Sequence, residues 1–484
     1  MNSQLLLFII LISAQADAKR WSSSDNAQGL FDSQIQTSFK ELNKYQKGES
    51  LIKPWIGAYW RNNYGGLGRR YRDDLFKSII HNPTNRNEEE NDLQLEVYSE
   101  LRSEFRFKEI EIENKVRGQD QESFNHLLNQ QELTFKEKEK APLSLSEILS
   151  GHSSKWSLID DINGSALASL SPVEKYDLLI GDDQFTLRGR AWKHNEVRST
   201  GGSVPEWMGY CNGLAVASSK APEPQKAVYA LSPKGIIIPF YPEDLKALSM
   251  LQWSNKTALS KKDKSVKRKK LQTDIIGHRC EKDQSDNSRL DLYKCIDDTN
   301  PATFHLALVN KIGLEKKSFI ADVDQWSQVW NFPISSYSYS HSLVSGENLL
   351  KLKQDYFNLI EKSAKSFLKV RMSFDIPKFG DPGASREVQI TRTSFYYLEL
   401  DSKGDIIGGF WDKEAENNTR PDFLWRVRDT KAKSFAEQNV ENLPKWKVED
   451  GVIPEQLINI AQRSSQNFDV LGSIIDSLIE ASVK

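Results

Sequence analysis

Apolar residues recur every three or four positions in several parts of the chain, which is the spacing of an amphipathic helix. The predicted helices lie at residues 93–101, 143–148, 171–180, 211–221, 242–251 and 453–481. The start of the helix at Ser171 is the best marked, because Pro172 follows it and Glu174 stands three positions on. This is a capping box with proline in the first turn.

Runs of β-branched and aromatic residues predict the strands. They lie at residues 185–187, 227–231, 236–238, 303–309, 318–323 and 388–411. Residues 311–317 are the predicted turn that pairs 303–309 with 318–323 as antiparallel neighbours, and residues 402–405 are a turn within the β-meander 388–411. Helices mixed with antiparallel strands place the chain in the α+β class.

The first 18 residues have the pattern of a signal peptide. Leu5–Ile12 is an unbroken apolar run, and Ala16–Ala18 is an A-x-A cleavage site. The alternative is a short buried or membrane-anchoring segment, although the run is too short to span a bilayer. Export predicts a secreted or periplasmic protein that has no membrane association after signal removal.

The rest of the chain divides into three predicted regions. Residues 19–141 are a polar arm followed by a highly charged helical segment, which is a surface helix, a family-specific insertion or a removable pro-segment. Residues 142–345 are the predicted catalytic core. Residues 346–484 contain the β-meander and the last helices, which are predicted to pack on that core.

Composition excludes some classes of function. The 484 residues carry a net charge of −2, so nothing indicates a nucleic-acid partner. There is no HExxH, CxxC or nucleotide-binding loop and no cluster of metal ligands, which argues against a metal enzyme.

Three cysteines define the candidate chemistry. Cys280 and Cys295 flank a polar stretch and are predicted to form a disulfide in an oxidising compartment. Cys211 is then left over, between Gly209 and Gly213 at a predicted helix start. A helix N-terminus stabilises a thiolate, so Cys211 is the candidate nucleophile. The alternative is a small buried core residue.

A cysteine nucleophile needs a base and a group that orients the base. His305 lies on a predicted strand and Asp322 on its predicted hairpin partner, so the hypothesis is a Cys211–His305–Asp322 triad on one helix and an antiparallel sheet. His278, close to Cys280, is either the second-choice base or a neighbour of the disulfide.

A pocket for the oxyanion and the substrate is predicted around the nucleophile. The backbone N–H of Cys211 and the indole N–H of Trp207 are the candidate oxyanion donors. Gly209 lets the backbone approach a substrate, and Asn212 directly follows the nucleophile. Trp330 is a candidate wall that keeps water out of the site.

Several segments together resemble the transglutaminase elicitor family, which includes oomycete cell-wall transglutaminases and bacterial relatives. They are Leu170–Asp182, Trp207–Gly213 (Trp-Met-Gly-Tyr-Cys-Asn-Gly), Phe240–Leu248, Asn300–His305, Ser318–Val323, Val329–Pro333, Ile406–Trp411 and Pro421–Trp425. Together they span roughly residues 50 to 430 in the family's order.

The resemblance implies a papain-like cysteine-enzyme core, with the catalytic roles falling on Cys211, His305 and Asp322. It implies acyl transfer from a glutamine side chain of a protein or peptide to a lysine or another amine, with Ca²⁺ as a candidate cofactor. Two alternatives stay open. One is a cysteine peptidase or deamidase with the same triad, and the other is a catalytically silent secreted binding or effector protein.

Overall fold

The structure is a computed structural model. It describes residues 25–62, 66–68, 170–182, 184–197, 207–235, 237–254, 273–277, 299–323, 328–378, 388–438, 440 and 442–483. Several predictions fall outside these residues: the signal peptide, the helices at 93–101 and 143–148, the Cys280–Cys295 disulfide, and the setting of His278.

Helices and strands are both well represented in the described chain. The helices are α1 (Phe39–Leu42), α2 (Pro172–Leu179), α3 (Thr186–Val197), α4 (Cys211–Lys220), α5 (Pro242–Ser254), α6 (Pro301–Ala307), α7 (Gly346–Asp355), α8 (Phe435–Gln438), α9 (Glu455–Ser465) and α10 (Gly472–Val483). The strands are β1 (Lys47–Glu49), β2 (Val228–Leu231), β3 (Ile237–Phe240), β4 (Thr273–Gly277), β5 (Phe319–Asp322), β6 (Asn331–Ile334), β7 (Ser336–Leu343), β8 (Ser366–Lys378), β9 (Val388–Leu400), β10 (Ile406–Trp411) and β11 (Phe423–Val427).

The described residues form two compact units, and each unit combines segments that are distant in sequence. Unit 1 draws on Met1–Lys53, Thr273–Ile376 and Gln389–Arg426. Unit 2 draws on Pro54–Gln272, Pro377–Val388 and Val427–Lys484. Strands dominate the described part of unit 1, and helices dominate that of unit 2.

Unit 1 contains a five-stranded sheet in the order β1-β7-β8-β9-β10 and a four-stranded sheet in the order β4-β11-β5-β6. Side chains alternate between the two faces of the five-stranded sheet. Tyr396 and Trp411 therefore lie on the face that carries α6, where Trp411 contacts Phe304. On the opposite face, Phe410 contacts Tyr356, directly after α7.

The N-terminal segment of unit 1 completes this structure. β1 pairs with the edge of β7, with Lys47 opposite Ser338. Upstream of β1, the backbone N–H of Phe39 donates to the carbonyl of Gly404 at 3.0 Å, and that of Ile406 donates to the carbonyl of Thr37 at 2.9 Å. The segment thus bonds both to β7 and to the start of β10.

Unit 2 is built around buried helices. All eight residues of α2 are buried, and so is every residue of α5 from Asp244 to Ser254. Two buried ion pairs involve these helices: Lys175 contacts Asp244 at 2.5 Å, and Glu174 contacts Arg188 of α3 at 3.0 Å. The hairpin β2–β3 lies in the same unit.

Much of the predicted secondary structure is confirmed. The capping box at Ser171 is present, with Pro172 in the first turn of α2. Cys211 is the first residue of α4, the strands β2 and β3 pair as a hairpin, and α5 begins at Pro242. The meander β9–β10 and the last two helices also lie where predicted. The mixture of helices and antiparallel sheets agrees with the α+β class.

Two predicted strands are wrong. Residues 303–309 are not a strand: Thr303 to Ala307 belong to α6, and the chain continues as a π-helix, Leu308–Leu314. Residues 311–317 are accordingly not a hairpin turn, and the partners of β5 are β6 and β11. Residues 185–187 lead into α3, which begins at Thr186. Residues 303–309 are buried throughout, and a short buried apolar run has the same composition in a strand and in a helix.

Among the described residues, no helix is both long enough and apolar enough to cross a membrane.

Candidate functional site

Cys211 occupies the N-terminus of α4 in unit 2. Its side chain carries a thiol and is 6% exposed, and the preceding Tyr210 is completely buried. The first turn of a helix presents backbone N–H groups that have no partner within the helix. Such N–H groups carry partial positive charge, and reactive cysteines in proteins are often found at helix starts. Cys211 is the first residue of α4, as predicted, and its role as the nucleophile stays a prediction.

The glycines around Cys211 are explained by packing within unit 2. A Cβ atom on Gly209 would lie 2.6 Å from the carbonyl oxygen of Tyr59. A Cβ atom on Gly213 would lie 2.2 Å from the carbonyl oxygen of Met250 on α5. Both glycines thus permit a close approach of protein backbone, whereas the sequence had suggested an approach of the backbone to a substrate.

The loop before Cys211 is fixed by backbone hydrogen bonds to an upstream segment. The N–H of Tyr210 donates to the carbonyl of Tyr59 at 2.7 Å, and the N–H of Asn62 donates to the carbonyl of Met208 at 2.8 Å. Trp207, the candidate oxyanion donor, begins this described loop and is partly buried. The backbone on both sides of Cys211 is therefore fixed, by the 59–62 segment before it and by α4 after it.

Asn212 is directed toward α5. Its side-chain amide donates to the carbonyl of Ser254 at 3.5 Å, and the Ser254 hydroxyl donates to its side-chain oxygen at 3.3 Å. These bonds tie the first turn of α4 to the end of α5. Its predicted place in the substrate pocket stays a prediction.

Sequence reasoning missed one histidine beside this loop. His194 on α3 stacks on Tyr210, with ring centroids 6.1 Å apart, and lies 4.9 Å from the ring of Phe468. Tyr210 is the residue directly before the nucleophile. No spacing signal in the sequence connects α3 with this loop, because the contact depends on the tertiary packing of unit 2.

His305 lies in the interior of unit 1, and its side chain has no exposed surface. Nδ1 is 2.8 Å from the hydroxyl of Tyr396, and the ring packs edge-on against Tyr339 at 4.8 Å. Within the described part of the chain, Nε2 has no hydrogen-bond partner. Burial lowers the pKa of His305 to about 3, with a smaller contribution from His341, so the imidazole is neutral near pH 7.

Asp322 is the last residue of β5, as predicted, and is completely buried. Its carboxylate accepts a hydrogen bond from the backbone N–H of Trp330 at 2.8 Å. The indole of Trp330 donates to Gln328 at 2.7 Å and stacks on Phe332. The structure thus joins Asp322 to Trp330, two of the predicted site residues. It does not join Asp322 to His305, whose hydrogen bond goes to Tyr396.

A calcium site finds no support in the described residues. No group of three or more His, Cys, Asp or Glu side chains in that part of the chain could hold a metal ion. We therefore assign no chemical step to Ca²⁺.

Residues 186–439 match the family model described as "Transglutaminase elicitor", which covers more than half of the chain. The chain belongs to the transglutaminase elicitor family. The resemblance noted in the sequence is thereby confirmed.

The chain is also similar to a solved structure. The GP42 transglutaminase from Phytophthora sojae is 16% identical, with a TM-score of 0.49 over 92% of this chain and 98% of that chain. No curated protein matches this member of the transglutaminase elicitor family.

Proposed function

We propose that the protein is a transglutaminase-like acyltransferase in which Cys211 is the nucleophile. The observation that carries the proposal is the position of a thiol at the first residue of a buried helix, in a chain of the transglutaminase elicitor family. That position supports the proposal in two ways. Backbone N–H groups at a helix start can stabilise a thiolate, and one of them can donate a hydrogen bond to the oxyanion.

The reaction has two steps. In the first, the Cys211 thiolate attacks the carboxamide carbon of a glutamine side chain, the C–N bond breaks, and ammonia leaves after taking up a proton from the protonated base. In the second, an amine, such as a lysine side chain, attacks the thioester. The C–S bond then breaks, the thiolate is regenerated, and the amine loses its proton to the base. The product is an amide that joins donor and acceptor.

Two histidines are candidates for the general base of this reaction. The sequence-based hypothesis gives this role to His305, with Asp322 as its orienting group. Within unit 1, however, His305 is fully buried, bonds to Tyr396 and is hard to protonate, which fits a structural histidine better. His278 remains the alternative base.

The rate of Cys211 alkylation as a function of pH tests the base assignment. Iodoacetamide modification would be followed by mass spectrometry of the Cys211 peptide in wild type, His305→Ala and His278→Ala. An activated thiol reacts well below the ordinary cysteine pKa of about 8.5. The variant that restores an ordinary pH profile identifies the base, and an ordinary profile in wild type contradicts the nucleophile assignment.

Hydrolysis by the same residues is the second candidate function. A glutamine-containing protein and a fluorescent primary amine would be incubated with wild type and with Cys211→Ala. Incorporation of the amine that depends on Cys211 supports transfer, and ammonia release without incorporation supports a deamidase. If neither occurs, the protein is the silent binding or effector protein.

We further propose that the protein acts outside the cytoplasm, on protein or peptide substrates. The apolar run Leu5–Ile12 with the A-x-A site at Ala16–Ala18 supports export. N-terminal sequencing of protein recovered from culture medium or periplasm would show residue 19 as the first residue. An intact Met1 in those fractions would contradict signal cleavage.

A further inference from the structure

A cavity of about 200 Å³ opens on the face of the five-stranded sheet that carries α7. Its sheet side is formed by Ser342 on β7, Lys369 on β8 and Tyr397 on β9. Ser342 and Lys369 are cross-strand partners, and the Lys369 ammonium lies 5.4 Å from the centre of the Tyr397 ring. The helix side is formed by Asn348, Lys351, Leu352 and Asp355 of α7, followed by Tyr356.

The packing beneath the cavity is firm. Tyr356 stacks on Phe410 at 4.5 Å, and Tyr397 stacks on Phe410 at 5.3 Å. Leu352 and Phe367 complete the same buried cluster. The floor of the cavity is therefore already ordered before a ligand binds, and this lowers the entropy lost on binding.

The lysines of the cavity are already paired with carboxylates. Lys351 contacts Glu414 at 3.1 Å, and Lys369 contacts Asp412 at 3.0 Å. Because each ammonium has a neighbouring carboxylate, a charged ligand would meet groups of its own sign as well as of the opposite sign. A neutral ligand meets no such penalty.

Three polar side chains at the cavity are available for a ligand. In the described part of the chain, no protein group forms a hydrogen bond with the side chains of Ser342, Asn348 or Asp355. Asn348 can donate and accept, Asp355 accepts, and the Ser342 hydroxyl can do either. Leu343 and Val344 supply apolar surface at the same opening.

We propose that this cavity binds one ring of a neutral saccharide. A sugar ring presents hydroxyls that both donate and accept, beside C–H groups that suit apolar side chains. The cavity is smaller than the roughly 300–1,000 Å³ of pockets for drug-sized ligands, so one ring fits inside and the rest of a chain would extend outside. This inference concerns unit 1 alone and does not depend on the activity of Cys211.

Saturation-transfer NMR on the full chain tests the proposal, with cellobiose, N,N′-diacetylchitobiose and maltose as probes. We expect transfer to the protons of one ring of at least one disaccharide. Asn348→Ala and Asp355→Ala should each weaken that binding at least about fivefold, since each removes hydrogen-bonding groups from the ligand. Lys353→Ala, on the same helix but outside the cavity, is the matched control and should bind as wild type does.

Three outcomes would overturn the proposal: no transfer from any probe, equal binding by wild type and both cavity variants, or displacement of the sugar by n-butylammonium or phosphate at lower concentration. Because all three substituted residues are exposed, circular dichroism should show each variant folded. Cys211→Ala should keep full sugar binding, so a failure of acyl transfer and a failure of this site are separable.

Discussion

The imidazole of His305 is enclosed by aromatic rings, and this single environment fixes both its charge state and its hydrogen bond. The Tyr396 hydroxyl is its polar neighbour, and Phe39 and Tyr339 face the ring. The sequence identified the residue, but a histidine between Phe304 and Leu306 has the same local pattern whether its ring faces a substrate or a core. Only tertiary packing distinguishes the two.

The buried state of His305 predicts an acid-sensitive fold. Its pKa falls from 6.5 to about 3 on folding, so the unfolded chain takes up the proton more readily. The stabilisation by neutral burial is complete above pH 6.5 and is lost progressively as the pH falls toward 3. Between pH 7 and pH 5 this group should lower the free energy of unfolding by about 2 kcal/mol.

Urea unfolding at both pH values in wild type and His305→Phe measures this effect, and the variant should lose that part of the pH dependence. Tyr396→Phe is the control, because it removes the hydrogen bond and keeps the imidazole. An unchanged pH dependence in His305→Phe would falsify the assignment.

Gly213 makes a second prediction at the scale of a residue. In Gly213→Ala the new methyl group would meet Met250 O at 2.2 Å and Ser254 Cβ at 2.7 Å, so α4 must move away from α5. We expect a loss of roughly 1–3 kcal/mol in stability, as overpacking of a core typically gives. Slower alkylation of Cys211 should accompany it, because the same helix carries the thiol. Ser219→Ala, further along α4, should change neither quantity by much.

A buried ion pair in unit 2 joins Lys175 on α2 to Asp244 on α5. Lys175 and Asp244 have no exposed surface and contact each other at 2.5 Å. Asp244 also accepts a hydrogen bond from the backbone N–H of Tyr241 at 2.8 Å, at the start of α5. The pair therefore links two buried elements at one point.

Removing one member of this pair should be costly. Lys175→Met leaves the Asp244 carboxylate buried without its cation, and we expect a loss of about 3–5 kcal/mol in the free energy of unfolding. Lys175→Met/Asp244→Asn should lose less than the single variant, since no charge is left unpaired. Lys226→Met, at an exposed lysine of the same unit, should stay within about 0.5 kcal/mol of wild type. Thermal or urea unfolding measures the stability of each variant. A double variant that is less stable than Lys175→Met would contradict the role given to the ion pair.

At the element scale, local signals in the sequence located the starts of two helices. Ser171 and Pro172 located the start of α2, and Pro242 located the start of α5. The same kind of signal existed for α6, because Asn300 caps it and Pro301 is its first residue. The apolar run after Pro301 was given more weight than this cap, so a buried helix was predicted as a strand and the His305–Asp322 hairpin with it.

At the scale of the whole molecule, the two units are assembled from distant segments, which no local pattern in the sequence could have shown. Unit 1 needs the first described residues as well as strands that lie after residue 388. Asn310 illustrates the connection: its side-chain oxygen accepts from the N–H of Gln36 at 2.8 Å, and its amide donates to the carbonyl of the same residue at 3.0 Å.

Removing residues 25–53 should therefore unfold unit 1, and the rest of the unit should not stay folded without this segment. The deletion uncovers the edge of β7, takes Phe39 away from His305, and removes the buried Leu30 and Leu42. In the deletion variant, hydrogen exchange should show fast exchange of the backbone amides of β7 and β8. In a control chain that begins at Lys19, the same amides should exchange slowly. Equal protection in the two chains would contradict the role given to this segment.

The backbone hydrogen bonds of Phe39 and Ile406 join residues that are more than 300 positions apart in the sequence. Such bonds form only late in the synthesis of the chain. The acceptor for the Phe39 N–H is Gly404, so the bond has to wait until the ribosome has added the intervening residues. At roughly 5–20 residues per second this takes about 20 to 70 s. Throughout that interval Phe39 lacks its acceptor, and β1 lacks its partner until β7 (Ser336–Leu343) has been made. A nascent chain of this protein is consequently a client for whatever factors shield early segments until translation has passed β10.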